Sequence, residues 1–176
     1  VHRNTVRSSS AYTSWYGMYL NVLYNKSFIT SNTINRKNNG QYGLFLYDIN
    51  GSGDTILVAN NTVNIGGSNN PYGIYSAYTY YVHLINNTVR VDGTTSATAS
   101  GFYQDNGSNN YFLNNNIVNT GPGYALTVNN SSSILKSDYN NFKTNGSFLA
   151  YWNSTAYSNL QALRSVSNKD SNSISV

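Results

Sequence analysis

Few side chains in these 176 residues could do acid–base, nucleophilic or metal chemistry: six aspartates, no glutamate, two histidines and no cysteine. Without cysteine there is neither a disulfide framework nor a thiolate metal site. Asp48, Asp54, Asp92, Asp105, Asp138 and Asp170 are each isolated along the chain, too dispersed to cage a calcium ion that takes about six to eight oxygens. The best carboxylate pair is Asp48 with Asp105, because each closes a glycine-led alternating run, YGLFLYD and SGFYQD. Asp54 or His83 could join them. The plainer reading of these aspartates is as turn residues making Asx hydrogen bonds. His83 has no second His or Cys at ligand spacing and reads as an exposed imidazole, so no metal site and no cofactor is expected.

Aromatic residues carry the stronger signal. The chain has 17 Tyr, 6 Phe and 2 Trp, while charged residues make up only 9%. Tyr19, Phe45, Tyr75 and Tyr103 each stand two residues after a glycine, with Tyr47 and Tyr78 close by. Rings that recur at one position of a repeat either stack on one another or form a contact strip. Saccharides present apolar C–H faces that suit such a strip. Which of these roles the rings play depends on the elements that carry them.

Those elements repeat. A glycine half recurs as YGMYL at Gly17, YGLFL at Gly43, YGIYS at Gly73, SGFYQ at Gly101, PGYAL at Gly123 and NGSFL at Gly146, and an asparagine half as NTV, NTI, NTV, NTV, NIV and NNF. The glycine positions 17, 43, 73, 101, 123 and 146 differ by 26, 30, 28, 22 and 23 residues. A period of this size marks a solenoid whose units bury their apolar side only by stacking. The leucine lattice of leucine-rich repeats is absent, and the runs alternate with period 2, which excludes helical repeats. A Gly-Ile-x-x run followed by an alternating run ending in Asn-Asn-Thr-Val resembles the right-handed parallel β-helix proteins of the pectate-lyase-like superfamily, in their secreted bacterial form. The resemblance covers residues 1–150 and implies an all-β fold of about six rungs. Members include polysaccharide lyases with a calcium-binding acidic cluster and a basic residue, and hydrolases with a tight Asp group. Neither pattern carries over onto the isolated aspartates here.

Strand parity assigns the faces. Met18, Leu44, Ile74, Phe102 and Tyr124 are expected inward, as are Leu20, Leu46, Ser76, Gln104 and Leu126 two residues on. Tyr19, Phe45, Tyr75 and Tyr103 then point outward, with Ala125 ending the column. In the asparagine half, Ile29, Val58, Leu84 and Leu113, then Ile34, Val63, Val89, Val118 and Phe142, are expected inward, and Phe28, Leu57, His83 and Phe112 outward. Asn32, Asn61, Asn87, Asn116 and Asn140 read as an asparagine ladder with a structural role. The Asn-x-Ser/Thr matches at Asn60, Asn86, Asn106 and Asn153 follow from composition in so Asn-rich a chain.

One domain is expected, with rungs over 1–150 and a C-terminal cap over 151–176, where Ser158 or Asn159 caps a short helix presenting Leu160, Leu163 and Val166. The segment DYNNF followed by NLQALR and KDSNSI resembles the close of secreted bacterial β-helices. The chain opens on the asparagine half of a rung, so a further rung or cap is expected before Val1. The net charge of +4 is spread along the chain, which argues against nucleic acid as a partner, and no apolar run is long enough for a membrane span. The function expected is therefore a secreted or cell-surface module, structural, adhesive or carbohydrate-binding through Tyr19, Phe45, Tyr47, Tyr75, Tyr78 and Tyr103. Its partner would be a glycan or a neighbouring surface protein, within a larger chain or assembly. The alternative is a polysaccharide lyase or glycoside hydrolase, for which only Asp48, Asp105 and His83 offer candidates, and the scarcity of acids weighs against it.

Overall fold

The computed structural model describes residues 1–8, 15–36, 38–52, 54–67, 70–92 and 94–176. The expected turn through Ser9–Ser14, and the linker positions Lys37, Gly53, Ser68, Asn69 and Gly93, lie outside the described residues. The chain is a parallel β-solenoid of about five turns, where the repeats suggest about six, with one short helix. Each turn contributes a strand to each of three sheets. In the central turn these are Tyr72–Tyr80, Val82–Ile85 and Thr88–Asp92. Like strands stack in register on neighbouring turns, so Ile74 lies between Leu44 and Phe102, and Val89 between Val63 and Ile117.

The corner between the second and third strands explains the Asn-Asn pair. Ser31, Asn60, Asn86, Asn114 and Tyr139 adopt φ of 54° to 57°, a left-handed conformation that asparagine tolerates better than most residues. The next residue turns inward, giving a buried column of Asn32, Asn61, Asn87, Asn115 and Asn140. Each amide nitrogen donates to the next Oδ1 at 2.9–3.1 Å, and each Oδ1 also accepts a backbone N–H. Asn115, not the expected Asn116, occupies the fourth turn. The run Asn114–Asn116 allows two alignments, and the wrong one slips the frame by one residue, which inverts every face. Phe112 and Ile117 are accordingly buried, whereas Leu113 and Val118 lie outside the core.

A second correction concerns the glycine half of the fifth turn. Tyr124 pairs with Ser100, Leu126 with Phe102 and Val128 with Gln104, so this turn is displaced by two residues from the expected alignment. Tyr124 is half-exposed, and Ala125, expected outward, is fully buried. Ala125 takes the place of the glycines. At Gly43 a Cβ would lie 2.3 Å from Val63 Cγ1 and 2.4 Å from the Gly73 carbonyl oxygen, so in that turn only hydrogen fits where backbone meets core. The buried polar pair is partly satisfied internally: Ser76 Oγ lies 2.8 Å from Thr79 Oγ1, and Gln104 Nε2 donates to Thr79 Oγ1 and the Asn106 carbonyl, each at 3.0 Å, while Gln104 Oε1 has no partner among the described residues.

Beyond the last turn, Asn159 Oδ1 accepts from the Ala162 N–H at 2.9 Å and starts the helix Leu160–Ser167. Leu160 and Leu163 are buried, while Val166 faces solvent. Strands Ala150–Trp152 and Thr155–Tyr157 still belong to the first sheet. The tail ends the ladder: Asn140 Nδ2 donates to Asp170 Oδ1 at 3.1 Å and the Asn140 N–H to Ser173 Oγ at 2.9 Å. Asp170 is buried, its Oδ1 also accepts from the Ser137 and Ser173 hydroxyls, and its Oδ2 has no partner among the described residues. Burial pushes its carboxyl above the ordinary range, against the pull of these hydrogen bonds and with the like charge of Asp138 adding to the rise. A raised folded-state pKa binds its proton more tightly in the native state, so its stabilisation is full below the unfolded pKa of about 3.9 and is lost as pH rises through the folded value. Asp138 has the opposite sign: burial raises its pKa, but hydrogen bonds from Asn172, Tyr139 and Ser171 outweigh that and leave it lowered. The comparison of wild type with Asp170→Asn isolates the first effect. In urea unfolding at stepped pH, wild type should lose stability relative to the variant as pH rises from about 4; parallel curves would contradict the assignment.

Candidate ligand-binding face

The first sheet carries the longest strands, Tyr16–Tyr24, Tyr42–Asn50 and Tyr72–Tyr80, and its outer face carries the rings. Tyr19, Phe45, Tyr75 and Tyr103 lie in register. Successive ring centroids are 5.0, 4.8 and 4.7 Å apart, and the Tyr75 and Tyr103 planes differ by 8°. Tyr47 meets Phe45 at 6.0 Å, and Tyr78 meets Tyr47 edge to face at 5.5 Å, so both flank this file. Tyr19, Tyr47 and Tyr78 are 49%, 37% and 41% exposed.

A second file was missed by the parity argument. Tyr16, Tyr42 and Tyr72, each immediately before a glycine, stack at 4.8 and 5.5 Å. They contact the first file crosswise, Tyr42 with Phe45 at 4.8 Å and Tyr72 with Tyr103 at 5.1 Å. The register skips the glycine, so the strand bends there: the tyrosine before it faces outward while the residue after it faces the core. The sequence signal was present in the threefold Tyr-Gly dipeptide. Tyr124 and Tyr151, 5.7 Å apart, continue the face towards the helix.

The face is apolar in its rings, and its polar groups are mainly hydroxyls and amides, with the Asp105 carboxylate behind Asn129. Phenol ionisation is held off. Burial, reinforced by Tyr103 and Tyr42 and opposed by the Asn70 hydrogen bond, pushes Tyr72 up to about 12. Burial is also the main cause for Tyr42, Tyr75 and Tyr103, all raised. The hydroxyls are therefore neutral donors across the physiological range. At the end nearest the helix the strip opens into a cleft of about 420 Å³ lined by Asn70, Tyr72, Thr98, Tyr103, Tyr124, Thr127, Asn129 and Tyr151.

The acid–base candidates lie on two sheets and a turn, with Asp48 and Asp105 both at the first sheet, two turns apart. Asp48 sits at a bend of its strand with φ 51°, opposite Tyr78. Asp105 follows Ser100–Gln104, its N–H donating to the Ser76 carbonyl and its carboxylate accepting from Asn129 and Asn106. Asp54 lies in an exposed turn, its N–H on the Gly51 carbonyl. His83 is on a different sheet, stacked on Tyr111 at 4.3 Å, and burial lowers its pKa. Phe112, expected beside it, is in the core, and Tyr111 holds that outward place. Among the described residues no three His, Cys, Asp or Glu side chains cluster, and no helix is long and apolar enough to cross a membrane. Comparison with known protein families, with curated proteins and with solved structures finds no match, so function is argued from this face alone.

Proposed function

We propose that this chain is a carbohydrate-binding module of a secreted or cell-surface β-helix protein, pectate-lyase-like in its repeat, and that a neutral polysaccharide lies along the ring strip. The observation that carries the reading is the double file of rings at rung spacing on the outer face of the longest sheet. Stacking alone accounts for about 0.5–1.5 kcal/mol per ring pair, yet several rings remain more than a third exposed, and an exposed aromatic strip marks a contact surface. A glycan suits it better than a protein groove-binder, because the polar groups between the rings are hydroxyls and amides, which match sugar hydroxyls in both donor and acceptor sense. The test is sedimentation of the protein with insoluble cellulose, chitin, β-1,3-glucan and mannan, with reducing-sugar and unsaturated-product assays on whatever it binds. Retention without product release is expected. Turnover abolished by Asp48→Asn or Asp105→Asn would replace this reading with the lyase or hydrolase one.

A further inference from the structure

Both files of rings are interrupted once, and the interruptions adjoin. In the register of the first sheet, Ser100 stands between Tyr72 and Tyr124, and Thr127 between Tyr103 and Tyr151. Each is a small hydroxyl residue where the turns on either side carry a ring. Strands two turns apart lie about 9.6 Å apart, room for one ring between the flanking two. At Ser100 that room is closed, because Ser100 is fully buried, whereas Thr127 lines a cleft of about 420 Å³ between Tyr103 and Tyr151, a size usual for small-ligand sites. Beneath the cleft, Ser100 Oγ lies 2.7 Å from the Phe102 carbonyl oxygen and 3.1 Å from Thr127 Oγ1.

The hydrogen bonds at the rim fix what the cleft offers. Asn129 Nδ2 donates to Tyr103 Oη at 2.6 Å and to Asp105 Oδ1 at 3.0 Å. A carboxylate accepts and does not donate, so the amide nitrogen must face Asp105. Both N–H groups are then used, and Asn129 can present only its carbonyl oxygen. Because Tyr103 accepts from Asn129, its own O–H is left to donate outward. Tyr72 is held in the same way, its Oη accepting from Asn70 Nδ2 at 2.6 Å while Asn70 Oδ1 accepts from Thr98 Oγ1 at 2.9 Å. Two phenolic donors and one amide acceptor thus border a cleft walled by tyrosine faces.

We infer that this cleft seats a neutral glycan segment, with one pyranose ring over Thr127 between Tyr103 and Tyr151, and with Asp105 as the positioning residue that sets the Asn129 amide. The inference rests on the reading of the strip as a glycan surface and identifies its selective subsite. A sugar ring satisfies all three rim groups and packs its C–H faces on Tyr124 and Tyr151. A plain aromatic ring would fill a gap but leave the rim groups unpaired. An acidic sugar would meet Asp105 behind Asn129, and no lysine or arginine lines the cleft.

The test is calorimetric titration with cellobiose, maltose, laminaribiose and diacetylchitobiose, with digalacturonate and p-cresol as controls, on wild type, Thr127→Tyr and Asp105→Asn. At least one neutral disaccharide should bind more tightly than both controls. Thr127→Tyr places a ring between Tyr103 and Tyr151 and should weaken that disaccharide at least about tenfold in a protein that still unfolds cooperatively, and Asp105→Asn, which frees the amide to turn over, should weaken it about three- to tenfold. The inference is overturned if no neutral disaccharide binds, if a control binds as well as the best disaccharide, or if Thr127→Tyr leaves the affinity unchanged. Polysaccharide retained by the strip with no disaccharide bound sinks the cleft alone. Polysaccharide binding indifferent to loss of Phe45 and Tyr75 sinks the strip reading itself.

Discussion

Replacing Asn87 by alanine is expected to cost about 3–5 kcal/mol of stability, because three or more buried groups lose partners worth about 1–3 kcal/mol each, with some relaxation. Asn87 Oδ1 accepts from both the backbone N–H and the amide of Asn61, at 3.1 and 2.9 Å, and its Nδ2 donates to the Val58 carbonyl at 2.9 Å and to Asn115 Oδ1 at 3.0 Å. The site is 1% exposed, so water cannot replace what is lost. Asn116→Ala is the matched control. That side chain is exposed and among the described residues accepts only from Asn141 Nδ2 at 2.9 Å, and its loss should stay within about 0.5 kcal/mol. Urea denaturation of the two variants decides it, and comparable losses would mean that the ladder runs through the wrong asparagine.

Ile74→Asp should be more damaging still. Ile74 is fully buried between Leu44 and Phe102, and a carboxylate there has no partner, which places the cost above about 4 kcal/mol. Its neighbour Tyr75 points the other way. Tyr75→Ser forfeits ring contacts with Phe45 at 4.8 Å, Tyr103 at 4.7 Å, and Tyr42 and Tyr72 at 5.3 Å, each about 0.5–1.5 kcal/mol, but buries no charge. Thermal unfolding should leave Tyr75→Ser folded at 25 °C with a lowered midpoint and Ile74→Asp without a cooperative transition. Equal midpoints would contradict the assignment of faces.

Much of the fold could be read from the chain because a solenoid writes its geometry as repetition. Gly17, Gly43, Gly73 and Gly101 recur for one reason, the absence of room for a Cβ beside the next turn's backbone. The outward placing of Tyr19, Phe45, Tyr75 and Tyr103 followed from counting two residues on. Counting failed where the local alignment was degenerate. Asn114–Asn116 offers no mark of which asparagine turns the left-handed corner, and a slip of one residue moved Phe112 and Ile117 to the wrong face. Gly123 resembles the repeat glycine, but Ala125 fills its place. The second ring file was hidden for a different reason. Strict alternation assumes a straight strand, and the bend at the glycine lets Tyr42 face outward two residues before the inward Leu44. The cleft could not be read at all, since it opens where Thr127 stands between Tyr103 and Tyr151, a placement that appears only once the register is known.

The strip reading is tested most directly by depletion isotherms on the polysaccharide that wild type binds best, comparing wild type with Phe45→Ala/Tyr75→Ala at low and high salt. These two rings sit in the middle of the file, and their truncation leaves Leu44, Leu46 and Ile74 in the core untouched. The account predicts affinity reduced about tenfold or more by the double change in a protein that still unfolds cooperatively, and little response to salt because few charges line the face. Polysaccharide affinity unchanged by the double substitution, or abolished by salt in wild type, would contradict it.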